Sequence, residues 1–353
     1  MNLSIRADAD SQIGTGHIMR CIALAQGWQD QGGKVTFLSH CESGALRERI
    51  SKEGFKFVKV ETPHPNPDDL VQTIAYLKLK RPSPRVPYAS TDWFVLDGYH
   101  FSPEYQRAVR DAGIRLLVID DMNHLPYYHA DFLLNQNIYA PELEYRCDED
   151  TALLLGTHYV LLRREFLGYR NFKRQIPARA KNILVTLGGG DSDNVTLKVI
   201  KSLKPLDKTD FSVKIVIGPA NPHQESLRKA LSATFFNSEL LINPINMPEL
   251  MAWAELAISA GGSTCWELAF MGLPCLLFIL SNNQEPIVSS LNNGNAAQNL
   301  GWYCRYDFSK LSDLMFSLIS DIEVRKAMSD NSKVLIDGRG SLRVCESMMG
   351  GRI

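Results

Sequence analysis

A histidine that follows two glycines at a helix start can take a proton, and this chain has one near its beginning. The stretch is Arg6-Ala-Asp8-Ala-Asp10-Ser-Gln-Ile-Gly14-Thr-Gly16-His17-Ile-Met-Arg20. Asn2 to Arg6 alternate apolar and polar residues as a strand does. Gly14 and Gly16 permit a tight turn. From His17 onward, Ile18, Cys21, Leu24, Ala25 and Trp28 follow helical spacing. The order is strand, glycine loop, helix, with His17 at the helix start. The positive end of the helix dipole disfavours an imidazolium there, which suits a general base working near neutrality. Asp8 and Asp10 leave the same strand end and are placed to orient the ring. A solvated histidine on a capping turn is the other meaning of these residues. A dinucleotide fingerprint is incomplete, because its third glycine would fall on Met19.

Acids recur at strand ends. Trp93-Phe-Val-Leu-Asp97 precedes Gly98-Tyr99-His100, and Arg115-Leu-Leu-Val-Ile-Asp120-Asp121 repeats the design. Such apolar runs between helical stretches imply a parallel sheet covered on both faces. Ligands bind beyond the carboxyl ends of such strands. Asp97, Tyr99 and Asp121 are therefore candidates for substrate contact, with helix caps or turn residues as the plainer alternative.

The second half repeats strand, glycine loop, helix. Asn182 to Leu187 lead into Gly188-Gly189-Gly190-Asp191, and a helix is expected from Val195. A backbone of this kind approaches a phosphate closely, and the helix start favours its charge. The lysine and Ser/Thr pair of a Walker loop are missing, so an ATPase fits poorly. Further on comes Gly261-Gly262-Ser263-Thr264-Cys-Trp-Glu267. Ser263 and Thr264 open a helix whose N–H groups suit a diphosphate, and Glu267 can accept from two ribose hydroxyls. Ser263 or Thr264 with Glu267 is also a capping box. Asn283 and Gln284, after the strand ending at Leu280, are amide donors for phosphate or sugar. Asn292 to Leu300 are expected as helix, Leu311 to Glu346 as further helices, and Met348 to Ile353 as a frayed end.

At 353 residues two domains are expected. The boundaries proposed are 1–169, a basic linker at 170–181, 182–325, and helices over 326–353 that return to the first domain. Lys80 to Pro87, with three prolines, is expected as an exposed loop. The net charge of -1 gives no reason to expect nucleic acid or an anionic membrane as partner. No apolar run spans a bilayer and the start is read as lacking a signal peptide. The seven cysteines form no C-x-x-C pair and no metal-like spacing, so reduced thiols in a cytoplasmic protein are expected, and the lack of an obvious exposed apolar stripe makes a monomer the default.

Taken in order, these motifs resemble the UDP-2,4-diacetamido-2,4,6-trideoxy-beta-L-altropyranose hydrolases of pseudaminic acid biosynthesis. The resemblance also rests on Asn135-Gln-Asn137, Leu155-Gly-x-x-Tyr159-x-x-Leu162-Arg163, Gly218-x-x-Asn221-Pro222, Asn283-Gln284 and Gly301-Trp302. Residues 80–87 and Ser281-Asn282 depart from the pattern. The family resembles the MurG-type glycosyltransferases. That implies an α/β, GT-B fold of two Rossmann-like domains with parallel sheets facing across a cleft. It implies UDP on the C-terminal domain, held by Gly188, Gly189, Gly190, Gly262, Ser263, Thr264, Glu267, Asn283 and Gln284. It implies the sugar on the N-terminal domain, near Arg6, Gly14, Gly16 and Arg20. Water would attack the anomeric carbon with inversion, His17 being the general base and Asp8 or Tyr99 placing the water. No metal and no cofactor are called for. The same motifs suit a UDP-sugar transferase or a catalytically silent UDP-sugar binder.

Overall fold

The structure is a computed structural model that describes residues 1–10, 13–79, 92–206, 210–219 and 221–350. The proline-rich stretch 80–87 lies outside the described residues.

The first sheet has seven parallel strands: β1 (Asn2–Ala7), β2 (Lys34–Ser39), β3 (Lys56–Lys59), β4 (Trp93–Asp97), β5 (Leu116–Ile119), β6 (Phe132–Asn135) and β7 (Ala152–Leu155). Every residue of β4 and β5 is buried, as continuous apolar runs require when both faces are covered. The order is β3-β2-β1-β4-β5-β6-β7, so the winding reverses between β1 and β4, where Ala7 pairs with Asp97. Crossovers run opposite ways on either side of that point and leave a crevice at the strand ends. Asp8, just past the end of β1, and the turn from Asp97 to Tyr99 therefore lie side by side.

The second sheet is β8 (Asn182–Thr186), β9 (Ser212–Ile217), β10 (Asn237–Ile242), β11 (Leu256–Ala260), β12 (Cys275–Ile279) and β13 (Gln298–Trp302). All six are parallel, in the order β10-β9-β8-β11-β12-β13. Its reversal lies between β8 and β11, where Thr186 pairs with Ser259. That brings the loops after Leu187 and after Ala260 together.

β13 replaces part of the helix expected over 292–300. The helix Glu285–Asn293 stops at Gly294, and Asn295 takes a left-handed turn at φ 50°. Gln298 to Trp302 then pair with β12, and the register slips opposite Leu277 and Phe278.

The chain forms two units, Met1–Arg164 with Gly338–Ile353, and Glu165–Asp337. Residues 170–181 and 326–337 thus belong to the second unit. Arg174 explains the first, since its guanidinium donates to the carbonyls of Met271, Ala254 and Met251 at 2.9, 2.5 and 2.6 Å. Burial pushes Arg174 down to about 10, against the attraction of Glu255. Arg325, in the helix Ile322–Lys333, likewise bonds the carbonyls of Pro177 and Ala178 at 2.8 and 3.0 Å.

Only the last helix, Gly340–Met348, joins the first unit, packing on the first helix, Gly16–Asp30. Gly340 lies so close to the main chain that a Cβ there would stand 2.1 Å from the Val160 carbonyl oxygen. Met348, expected to be frayed, is fully buried, and its carbonyl accepts from the Trp93 indole at 2.8 Å.

Candidate functional site

His17 is the second residue of the first helix and is 8% exposed. Its Nδ1 lies 2.6 Å from Asp97 Oδ1, at the end of β4. Arg20 Nη2 also lies 3.2 Å from Nδ1, but the carboxylate contact is the shorter and a carboxylate only accepts, so the proton is assigned to Nδ1 and the lone pair of the neutral ring falls at Nε2. Among the described residues Nε2 makes no hydrogen bond. The Tyr99 ring meets the imidazole edge-on at 4.9 Å.

Neither Asp8 nor Asp10 orients the ring. Asp10 closes the glycine loop by accepting from the Ile13 N–H at 2.7 Å. Asp8 is fully buried, pairs with Arg6 and accepts from the His40 N–H at 2.7 Å. Arg6 is itself fully buried and shares its charge with Asp69 at 3.1 Å. Arg6, expected at the sugar, is therefore turned into the core.

Arg20 also points inward. One turn after His17, it donates through Nε and Nη2 to Asp97 at 2.7 and 2.6 Å, and through Nη1 to both oxygens of Asp121 at 2.7 and 2.8 Å. Asn137 adds an amide donor to Asp121 at 3.0 Å, and the Tyr99 hydroxyl donates to it at 2.5 Å. Burial alone would raise the Asp97 carboxyl, but Arg20 and His17 hold it well below the usual carboxylate range. Asp121 is likewise lowered, Arg20 outweighing its burial. Burial and the charge of Asp121 push the Tyr99 phenol far up, so it stays a hydroxyl. The result is an imidazole held by an acid whose ionised form an arginine favours. Asp97 commits its oxygens to His17 and Arg20, and Asp121 to Arg20, Tyr99 and Asn137. The sequence marks both acids at strand ends but carries no sign of what they hold. Gly14, with φ 77° and an open Cβ position, leaves the loop before His17 uncrowded.

In the second unit, Gly188 and Gly190 are exposed, and Gly188 has φ 93°. Gly218 is needed where it stands, because a Cβ there would lie 2.2 Å from the Gly189 carbonyl oxygen. The helix that follows, Val195–Leu203, does not offer its N–H groups to a phosphate. Asp191 occupies them, accepting from Val195 at 2.8 Å and Thr196 at 2.9 Å. Burial raises the Asp191 carboxyl.

The helix Thr264–Phe270 is different. Ser263 makes no side-chain cap bond. Among the described residues the N–H groups of Ser263 and Thr264 meet no protein acceptor. The two glycines before it do unlike things. A Cβ on Gly261 would strike Val288 at 2.4 Å and Gln284 at 2.9 Å, whereas Gly262 meets only the Gln284 amide nitrogen, at 3.9 Å. Gln284 Oε1 accepts from the Leu280 N–H at 3.0 Å, and Ser281 donates to Asn283 Oδ1 at 2.5 Å. Ser263, Thr264 and Glu267 are half-buried on one turn. Among the described residues no three His, Cys, Asp or Glu side chains are arranged to hold a metal ion, and no helix is long and apolar enough to cross a membrane.

Residues 182–338 match the model of the glycosyltransferase family 28 C-terminal domain. The chain is 27% identical over 294 residues to the uncharacterised protein MJ1062 of Methanocaldococcus jannaschii, covering 81% of this chain and 57% of that one. It is 24% identical over 348 residues to the spore coat polysaccharide biosynthesis protein SpsG of Bacillus subtilis, 98% of this chain and 96% of that one. It is 24% identical over 292 residues to the UDP-2,4-diacetamido-2,4,6-trideoxy-beta-L-altropyranose hydrolase of Campylobacter jejuni, 81% of this chain and 94% of that one. The crystal structure of MurG from Acinetobacter baumannii superposes with a TM-score of 0.66 at 15% identity, covering 99% of this chain and all of that one. The fold is thus of the GT-B type, two Rossmann-like α/β units with parallel sheets.

Proposed function

We propose that the protein hydrolyses a UDP-sugar at the anomeric carbon. The observation that carries this reading is the pairing of His17 Nδ1 with Asp97 at the start of the first helix, which leaves Nε2 as the proton acceptor. The similarity to the Campylobacter hydrolase supports a diacetamido-trideoxy-altrose as the sugar. Nε2 takes a proton from water, whose oxygen forms a bond to C1. The bond from C1 to the β-phosphate oxygen breaks, and its electron pair leaves with UDP. The configuration inverts. Asp97 stabilises the imidazolium that forms, without itself taking the proton. The Tyr99 hydroxyl oxygen accepts from the water while its own O–H donates to Asp121.

UDP is assigned to the second unit. The N–H groups of Ser263 and Thr264, with the Gly188–Gly190 loop, would stabilise the charge that grows on the leaving phosphate. Asn283 and Gln284 are assigned to the same ligand, and Glu267 to the ribose hydroxyls. Glu267→Ala is expected to weaken UDP binding about tenfold or more, the size of a lost charge-assisted hydrogen bond. Isothermal titration with UDP checks this, and an unchanged Kd would remove Glu267 from the site.

The deciding experiment follows the UDP-linked sugar by proton NMR without any acceptor. UDP and free sugar are expected together, with the inverted anomer appearing first. An intact donor in the presence of tight UDP binding would overturn hydrolysis in favour of transfer or simple binding.

A further inference from the structure

His124 lies three residues beyond the acid pair Asp120-Asp121 that follows β5, outside the pairing of His17 with Asp97. Its Nδ1 is 3.1 Å from Asp120 Oδ1 and its Nε2 is 3.0 Å from the carbonyl oxygen of Tyr99. A carboxylate and a backbone carbonyl both accept and neither donates. Both bonds form only if both ring nitrogens carry protons. His129 shows the opposite case on the same stretch. Its Nδ1 faces Asp148 at 3.0 Å, but its Nε2 faces the Arg107 guanidinium at 3.0 Å, so that ring must be an acceptor there.

The groups around His124 favour the cation. The Tyr128 hydroxyl shares Asp120 Oδ1 at 3.0 Å, and the Tyr145 hydroxyl and Asn123 N–H bond Oδ2 at 2.8 and 2.6 Å. Asp120 is thereby fixed in place, 2% exposed. Asp121 adds a second negative charge, and the Tyr99 ring stands edge-on to the imidazole at 5.5 Å. The Asp120 hydrogen bond raises His124 above its ordinary value, against the opposing effect of burial.

We infer that His124 is a positioning residue that works as a cation, tying the main chain at Tyr99 to Asp120 and so holding the turn that orients His17. The tied turn runs from Asp97, which grips the His17 ring, to Tyr99, which touches it. When His124 loses a proton, the remaining one stays on Nδ1 against the carboxylate. The Nε2 lone pair then faces the lone pairs of the Tyr99 carbonyl, and the tie becomes a repulsion. Because the folded value is raised, the stabilisation is complete below the ordinary histidine value of about 6.5. It is lost as pH rises through the folded value.

The inference rests on the proposed hydrolysis only for its kinetic readout, so the test has two arms. In the first, the full chain labelled with 15N-histidine is titrated by NMR, with His124 assigned from its absence in His124→Gln. Protons on both nitrogens at pH 7 are expected, together with a change in the Tyr99 ring signals as His124 titrates. A neutral His124 at pH 7, or Tyr99 signals indifferent to its titration and to His124→Gln, would overturn the inference. This arm stands even if the protein turns over no UDP-sugar, an outcome that would sink only the functional proposal. In the second, UDP release is measured against pH. kcat of the native chain should fall on the alkaline side with the midpoint found by NMR. His124→Arg, a permanent cation, should abolish that fall, and His124→Gln should lower kcat about tenfold or more at pH 7 with KM little changed. Native kcat and the same alkaline fall in His124→Gln would overturn the positioning role.

Discussion

Asp97→Asn is expected to slow UDP release by about 10²–10⁴, the usual span of general-base assistance, with KM little changed. The native carboxylate accepts from His17 Nδ1 at 2.6 Å. An asparagine there can turn its amide N–H toward Nδ1, which moves the ring proton to Nε2. The nitrogen that should accept from water is then occupied. His17→Ala should lose as much, and the double variant little more, because the two residues act as one unit. Stopped assays of UDP release from the three variants test this. Losses that simply multiply would separate Asp97 from His17, and native turnover in Asp97→Asn would remove the dyad from the mechanism.

Arg20→Met is expected to destabilise the first unit by about 3–5 kcal/mol, because it strands two buried carboxylates without their cation. Asp97 is fully buried and Asp121 is 6% exposed, so solvent cannot replace the guanidinium. The pH dependence identifies the cause. In the native chain both carboxyls are lowered, so their stabilisation is present above the unfolded value near 3.9 and is lost as pH falls through the folded values. Without Arg20, burial dominates and raises them. The penalty is then largest near neutrality and shrinks as acid protonates the stranded groups. Urea denaturation at pH 7.5 and pH 5 should show the gap narrowing at the lower pH. A gap independent of pH would mean that lost packing, not stranded charge, is responsible. Arg20→Lys, keeping the charge but not the fork, should lose less.

What was legible in the sequence was local. Glycine loops after strands, a histidine at a helix start and acids at strand ends are each written within a dozen residues, and all are found where that pattern put them. Pairings between distant residues were not legible. Asp97 meets His17 across 80 residues, because the strand order sets β4 beside β1, and no periodicity states that order. Asp8, nearer in sequence, looked the better partner, but the buried Arg6 claims it. Asp191 misled in a subtler way. The glycine loop advertises a phosphate at the next helix, yet the loop's own carboxylate takes that place. A sequence shows the vacancy and its occupant with equal emphasis. The edge strand Gln298–Trp302 escaped because its half-buried polar residues carry no strand signal and it exists only by pairing with β12.

The last helix has a consequence for how the protein is made. The second unit is one continuous stretch, Glu165–Asp337, and holds all its own strands. The first unit is begun first and completed last. Its sheet is synthesised by Leu155, but the face of its first helix stays bare until Val344, Cys345 and Met348, all fully buried, emerge and cover it. During translation the later-made half can therefore close while the earlier-made half still exposes apolar surface. A nascent chain that stops short of Gly340 would carry a finished second unit on a first unit that cannot seal. Such a product would be drawn toward aggregation or degradation despite containing every residue of both glycine loops.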